Sequence, residues 1–209
     1  MKHSVTGYSI WVCSALFGLF MASGAWAIGT PKKLVESCTY CHGKAGASTE
    51  PDVPIIGGYS VDYLISSLTA LKRQERPCPE THYRTGPKKG TKTDMCQVVK
   101  DMSASDIKEV ARYFSKQKFV RAKEKYDLEL AKKGREIHEQ RCEKCHTNSA
   151  SDPRDDAGIQ AGQHMVYLEE ILFEFIAGTR PVPKKMKAQL EQLDKASIEA
   201  LVNFYGSFQ

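Results

Sequence analysis

The sequence has no strand-like alternation of apolar and polar residues of useful length, so a β-sheet fold and the βαβ setting of a thioredoxin are both unsupported. The expectation is an all-α chain. It has no large excess of charge of either sign: 30 Lys and Arg stand against 25 Asp and Glu, a net +5. Nothing in that balance argues for nucleic acid as a partner. Beyond residue 27 there is no apolar run long enough for an integral membrane segment.

What the sequence does have is the run Cys142-Glu143-Lys144-Cys145-His146, repeated earlier as Cys38-Thr39-Tyr40-Cys41-His42. A Cys-x-x-Cys-His spacing reads as a covalent attachment site for c-type haem. Cysteines at i and i+3 of a helical turn share a face, so both thiols reach one porphyrin edge, and the histidine follows beneath the iron. Two zinc knuckles usually lie about 15 to 20 residues apart, whereas these pairs are separated by 104 positions. Neither zinc nor a redox dithiol explains a histidine directly after both pairs. The expected cofactors are therefore two covalently bound haem c, held by Cys38, Cys41, Cys142 and Cys145, with His42 and His146 as iron ligands.

The first 27 residues read as an export signal: Lys2 and His3, an apolar stretch from Ile10 to Met21, and Ala25-Trp26-Ala27 before the cut. An uncleaved membrane anchor is the competing reading. Export places the protein in the periplasm. Cleavage removes one lysine and no acid, leaving 29 basic against 25 acidic residues.

A shift of 104 positions superposes Cys41 on Cys145, His42 on His146, Gly58 on Gly162, Tyr63-Leu64 on Tyr167-Leu168 and Arg76-Pro77 on Arg180-Pro181. The shift then drops to 91 and superposes Met95 on Met186, Ile107 on Ile198 and Phe114 on Tyr205. This is a tandem duplication in which the first copy carries 13 extra residues between Pro77 and Met95. The expected units are an N-terminal domain over 28–118, a connecting strap over 119–130 and a C-terminal domain over 131–209. The strap is charged and holds no Gly or Pro, so it should be ordered. Ser103 to Asp106 reads as a helix cap, followed by Ile107, Val110, Ala111 and Phe114 at helical spacing, and Ile198, Leu201, Val202 and Tyr205 repeat that stripe. Each stripe should pack on the helix before its pentad.

An iron that carries electrons needs a second axial ligand. Met95 and Met186 correspond under the repeat and are the expected ones. Met102 matches Leu193 and reads as core; Met165, His82 and His164 are the remaining candidates, and His138 reads as an ordinary helix-face histidine. Four of the six mature cysteines go to thioethers, leaving Cys78 and Cys96 in an oxidising compartment either as a disulfide or as two buried thiols.

These features resemble a tandem dihaem class I cytochrome c, two such domains related by pseudo-twofold symmetry. More narrowly, Tyr113 to Gln117, Ala122-Lys123, Gly134 to His138, Ala161-Gly162-Gln163 and Tyr167-Leu168 resemble the cytochrome subunit of flavocytochrome c sulfide dehydrogenase. That resemblance implies an electron-transfer protein, not itself an enzyme, which takes electrons from an FAD-bearing sulfide dehydrogenase subunit and passes them to a soluble cytochrome or oxidase. No residue here looks like a sulfide-oxidising catalyst. A free-standing dihaem shuttle to a terminal oxidase is the alternative, and a dihaem peroxidase, which needs an open iron position, is a third. The 78–90 insertion and the surplus of positive charge in the first half mark either a docking face for the flavoprotein or a cover over the first haem.

Overall fold

The computed structural model describes Met1, His3 and residues 31 to 209. Apart from those two residues, the expected export signal over 1–27 lies outside the described residues. Among the described residues there are nine α-helical segments, α1 (Pro31–His42), α2 (Val61–Lys72), α3 (Met95–Val99), α4 (Ala104–Ser115), α5 (Leu128–Arg141), α6 (Thr147–Ala150), α7 (Met165–Ile176), α8 (Lys184–Leu190) and α9 (Lys195–Gly206), and two 3-10 turns, Lys44–Gly46 and Pro153–Asp155. One small antiparallel ladder, β1 (Thr81–His82) with β2 (Lys92–Thr93), pairs Thr81 with Thr93 inside the insertion. The all-α architecture holds, with a hairpin added to it.

Local sequence sets the helix starts. The Ser103 side chain accepts from Asp106 N while the Asp106 carboxylate accepts from Ser103 N, a capping box that opens α4. Asp194 caps α9 by accepting from Ser197 N. Asp127 accepts from Leu130 N and so starts α5 at Leu128, three residues ahead of the expected Ala131. The extended strap is correspondingly shorter, ending at Asp127.

Ile107, Val110, Ala111 and Phe114 are buried where α4 packs on α1 and α2. Ile198, Leu201, Val202 and Tyr205 are buried in the equivalent position, with α9 against α5 and α7. The α5–α9 approach is very close: a Cβ on Gly134 would fall on the Ala200 carbonyl. Each half therefore builds its own apolar cluster around its terminal helix.

The halves are joined by buried polar contacts. Gln163 is fully buried; its Oε1 accepts from Ile55 N (3.0 Å) and His164 N (3.0 Å), and its Nε2 donates to Ile55 O (2.9 Å) and Tyr59 OH (2.8 Å). All its hydrogen-bonding capacity is used. Gln163 and Tyr59 superpose under the 104-residue shift, so repeat-related residues touch, as they must beside a twofold axis. The strap adds to this junction: Ala122 N donates to Gly162 O (2.8 Å), Met165 N donates to Glu124 Oε2 (2.8 Å), and Asp127 N donates to Asn203 Oδ1 (2.7 Å).

Two expectations need correction. The first pentad is helical, within α1, but α5 stops at Arg141, and Cys142 to His146 form a turn in which Cys145 N and His146 N both donate to Cys142 O (3.0 and 2.9 Å). The reason is local: Glu143 folds back to accept from Asn148 N (3.0 Å) and Ser149 N (3.2 Å) and meets His138 Nε2 at 2.5 Å. His138, expected on a helix face, is fully buried, with its Nδ1 2.9 Å from Tyr205 OH. Its two ring nitrogens both have partners, which is what permits burial.

Candidate functional site

The second pentad opens on a cavity of about 880 Å³. Cys142, Cys145 and His146 form one part of its wall, Met186 of α8 another, and Leu168, Ile171, Leu172, Phe175 and Leu201 supply apolar surface. Its lining continues into the first half through Tyr63, Ser66, Ser67 and Ala70, which share one face of α2. The short α8 carries Met186 because Pro181 and Pro183 end the preceding segment before Lys184.

In the first half, His42 is buried and its Nδ1 lies 2.8 Å from Pro54 O. With that nitrogen donating, Nε2 is the one left for a metal, the arrangement that fixes a ligand imidazole. Burial holds the His42 pKa below its ordinary value, favouring the neutral, metal-ligating ring. His146 is likewise lowered, by burial first and by His138 next. It lacks the carbonyl partner of His42; the position matching Pro54 under the repeat is Gly158. Met95 is the first residue of α3, behind the Asp94 cap, and packs with Cys38 and Cys78 against the first core. Met102 is buried in that core, Met165 packs on the second, and His82 sits on β1 beside Arg84 (3.0 Å). His164 is buried between the halves, with Nε2 3.0 Å from Ser48 O. Cys78 and Cys96 form a disulfide, with Cα atoms 5.8 Å apart. Cys38, Cys41, Cys142 and Cys145 are not disulfide-bonded.

The chemistry of these thiols separates the alternatives. Burial pushes Cys38 up to about 11 and Cys142 up to about 11, and also raises Cys41. A redox dithiol needs a stabilised thiolate, the opposite shift. Zinc would need both cysteine pairs, or a pair and further donors, within reach of one ion. Among the described residues the one group of three possible ligands that come together is Cys78, Asp94 and Cys96, and both its sulfurs are in the disulfide.

Haem makes different demands, and the cavity meets them. It offers a large apolar slot with two thiols and an imidazole on the wall, lined also by Arg76, Arg180 and Gln160, whose buried Nε, Nη1 and Oε1 atoms make no hydrogen bond, Arg180 Nη1 lying 3.6 Å from the Glu174 carboxylate. Arg76, with an unused donor, and Arg180, shared with Glu174, suit a group that carries carboxylates. Although burial works against the Arg180 charge, the Tyr167 and Tyr63 phenols and Glu174 hold its pKa above the ordinary value.

No family model matches the chain. Cytochrome c-554(548) of Halomonas halodenitrificans is 32% identical over 96 residues, covering 46% of this chain and 99% of the relative. The chain belongs to the c-type cytochromes. Cytochrome c4 of Pseudomonas aeruginosa is 27% identical over 208 residues, 93% of this cytochrome and 95% of that one. The crystal structure of reduced cytochrome c4 from Pseudomonas stutzeri superposes with a TM-score of 0.67 at 24% identity, covering 87% of this cytochrome and 100% of that chain. The cofactors are two covalently bound haem c, and the cytochrome is a dihaem electron carrier.

Sequence reasoning passed over Gln163 and Tyr59 as functional residues. The signal was available: they superpose under the repeat, each just after a paired glycine, Gly162 and Gly58. Arg76 and Arg180 were recognised as repeat partners without a role.

Proposed function

We propose that this cytochrome is a free-standing periplasmic relay that takes single electrons from a donor and passes them to a soluble cytochrome or oxidase. Cys38 and Cys41 would hold one haem, with His42 and Met95 as its iron ligands; Cys142 and Cys145 would hold the other, with His146 and Met186. Bound haem iron supplies the one-electron chemistry. The chain does the rest. An imidazole and a thioether at each site would leave the iron no open position, so each site would favour electron transfer over substrate binding, and methionine sulfur would favour the reduced iron. Apolar walls exclude water, and Arg76 and Arg180 would meet the cofactor's carboxylates. The single observation that carries the reading is the slot walled by a Cys-x-x-Cys-His pentad and Met186 in a duplicated chain.

Met186→Ala tests it. The ferric holoprotein should show a weak red charge-transfer band from iron–methionine bonds, and the variant should lose about half, one of the two sites. Retention of the full band would place the ligand elsewhere. A second reading, the cytochrome subunit of a sulfide-oxidising flavoprotein, is favoured by the resemblance over Tyr113 to Gln117 and Gly134 to His138. Under that reading a flavoprotein co-purifies from the periplasm in equal amount; recovery of the cytochrome alone supports the free-standing relay.

A further inference from the structure

A duplicated chain supplies its own control: whatever covers one pentad and has no counterpart over the other makes the two sites unequal. Over the first pentad lies the hairpin. Arg84 N and Thr85 N both donate to Tyr40 O (3.1 and 3.0 Å), and Thr85 Oγ1 reaches the same carbonyl at 3.2 Å. Gly86, at φ 77°, lies flat on the Tyr40 ring, where any Cβ would collide. The Cys41 thiol faces His82 O at 4.0 Å. The Arg84 side chain, only 15% exposed, pairs with Asp52, sits 3.9 Å from Glu50 and 3.0 Å from His82 Nε2. At its base the hairpin is fastened by the Cys78–Cys96 disulfide. It is thus tied down by backbone, ionic and covalent contacts rather than projecting into solvent.

Over the second pentad nothing corresponds, because the 13 residues that build the hairpin have no equivalent. Lys144 and Cys145 are exposed. The cysteines would hold one edge of the porphyrin, so a segment laid across them would lie across that edge. On the cavity wall contributed by the second half, Arg141, Lys144 and Lys185 outnumber Asp155 and Asp156, and Asp155 is occupied by Thr147 N (2.6 Å) and Thr147 Oγ1 (2.9 Å).

We propose that the 78–96 hairpin closes the thioether edge of the first site and leaves the Cys142–Cys145 edge of the second as the face where electrons are exchanged with a soluble redox protein whose own port is rimmed by carboxylates. This rests on the dihaem relay reading and adds a direction to it. One electron crosses per encounter, the donor oxidised and the acceptor reduced by one, with no bond made or broken. The first half, marked by its insertion, is then the inner station. Complementary charge speeds such encounters and makes them salt-dependent.

The test uses the reduced, diamagnetic holoprotein and an uncharged gadolinium chelate as a probe of solvent access, read by proton relaxation of the thioether methyl groups assigned through their cysteines. The second-half protons should relax several-fold faster than the first-half ones. Replacing residues 79–92 by a short glycine linker, with Cys78, Cys96 and Met95 kept, should bring the first-half protons up to the second-half rate. If that variant does not fold, Thr85→Pro with Arg84→Ala removes two of the three donors to Tyr40 O and the ionic anchors, and should raise first-half relaxation in the same direction. Equal relaxation of the two sites in the parent protein, or no change once the hairpin is loosened, overturns the proposal. Failure of the relay reading looks different: one or both haems would be missing or would not accept electrons from ascorbate.

Discussion

Gln163→Ala tests whether the two halves are held together by one buried amide. The substitution removes the partner of four groups at once: Ile55 N, Ile55 O, Tyr59 OH and His164 N. Ile55 is 1% exposed and Gln163 is fully buried, so water does not reach the vacated atoms from the surface. A buried polar group left without a partner costs about 1 to 3 kcal/mol. Tyr59 OH keeps a contact to Ile159 O at 3.4 Å, and a water in the new space can serve one of the backbone groups. The net loss should be about 3 to 5 kcal/mol, large against a typical total of about 5 to 15. Urea unfolding of the oxidised holoprotein, followed by far-ultraviolet circular dichroism and by haem absorbance, measures it. Gln163→Glu keeps the acceptors and loses the amide donors, so it should be destabilised at neutral pH and partly relieved in acid, where the protonated carboxyl can donate. That sign follows from a buried carboxyl with a raised folded-state pKa, whose protonated form is the one that fits. A loss under about 1 kcal/mol for the alanine variant would refute the reasoning.

Replacing both Cys78 and Cys96 by serine should cost about 3 kcal/mol in the same unfolding assay, given their separation of 18 positions; an unchanged midpoint would mean the bridge constrains nothing. Gly134→Ala should destabilise the second half by about 1 to 3 kcal/mol by forcing α5 and α9 apart, and calorimetry showing no loss would contradict that close approach. Although Glu170 is solvent-exposed, partial desolvation and then Glu174 and Asp52 raise its pKa. A raised folded-state pKa makes its charge unfavourable, so Glu170→Gln should raise Tm at neutral pH and give no gain below about pH 4, where the carboxyl is protonated in both states.

The cysteines, the helical stripes and the repeat were legible because each rests on a fixed spacing. Cys38 and Cys41 are three apart, Ile107 to Phe114 follow a helical period, and one shift relates Gly58 to Gly162. The start of α5 was misplaced because the strap carries no Gly or Pro, and only the bond from Leu130 N to the Asp127 side chain reveals its end. The burial of His138 depends on Tyr205, 67 positions away, and on Glu143. No local pattern encodes a partner at that distance. The hairpin could be located from the drop in shift from 104 to 91, but its resting place on Tyr40 is a tertiary fact carried by Arg84, Thr85 and Gly86.

The strap behaves as a ruler. From Phe119, stacked on Tyr59 with ring centroids 6.1 Å apart, through Ala122 and Glu124 to Asp127, it is held at every second or third residue to the structure it crosses, by one ring stack and three hydrogen bonds. A tether pinned along its length cannot act as a hinge, so the gap between the two iron sites is set once, at folding. Transfer between haems held there would cross a fixed medium, its rate set by driving force and reorganisation rather than by waiting for two domains to swing into register.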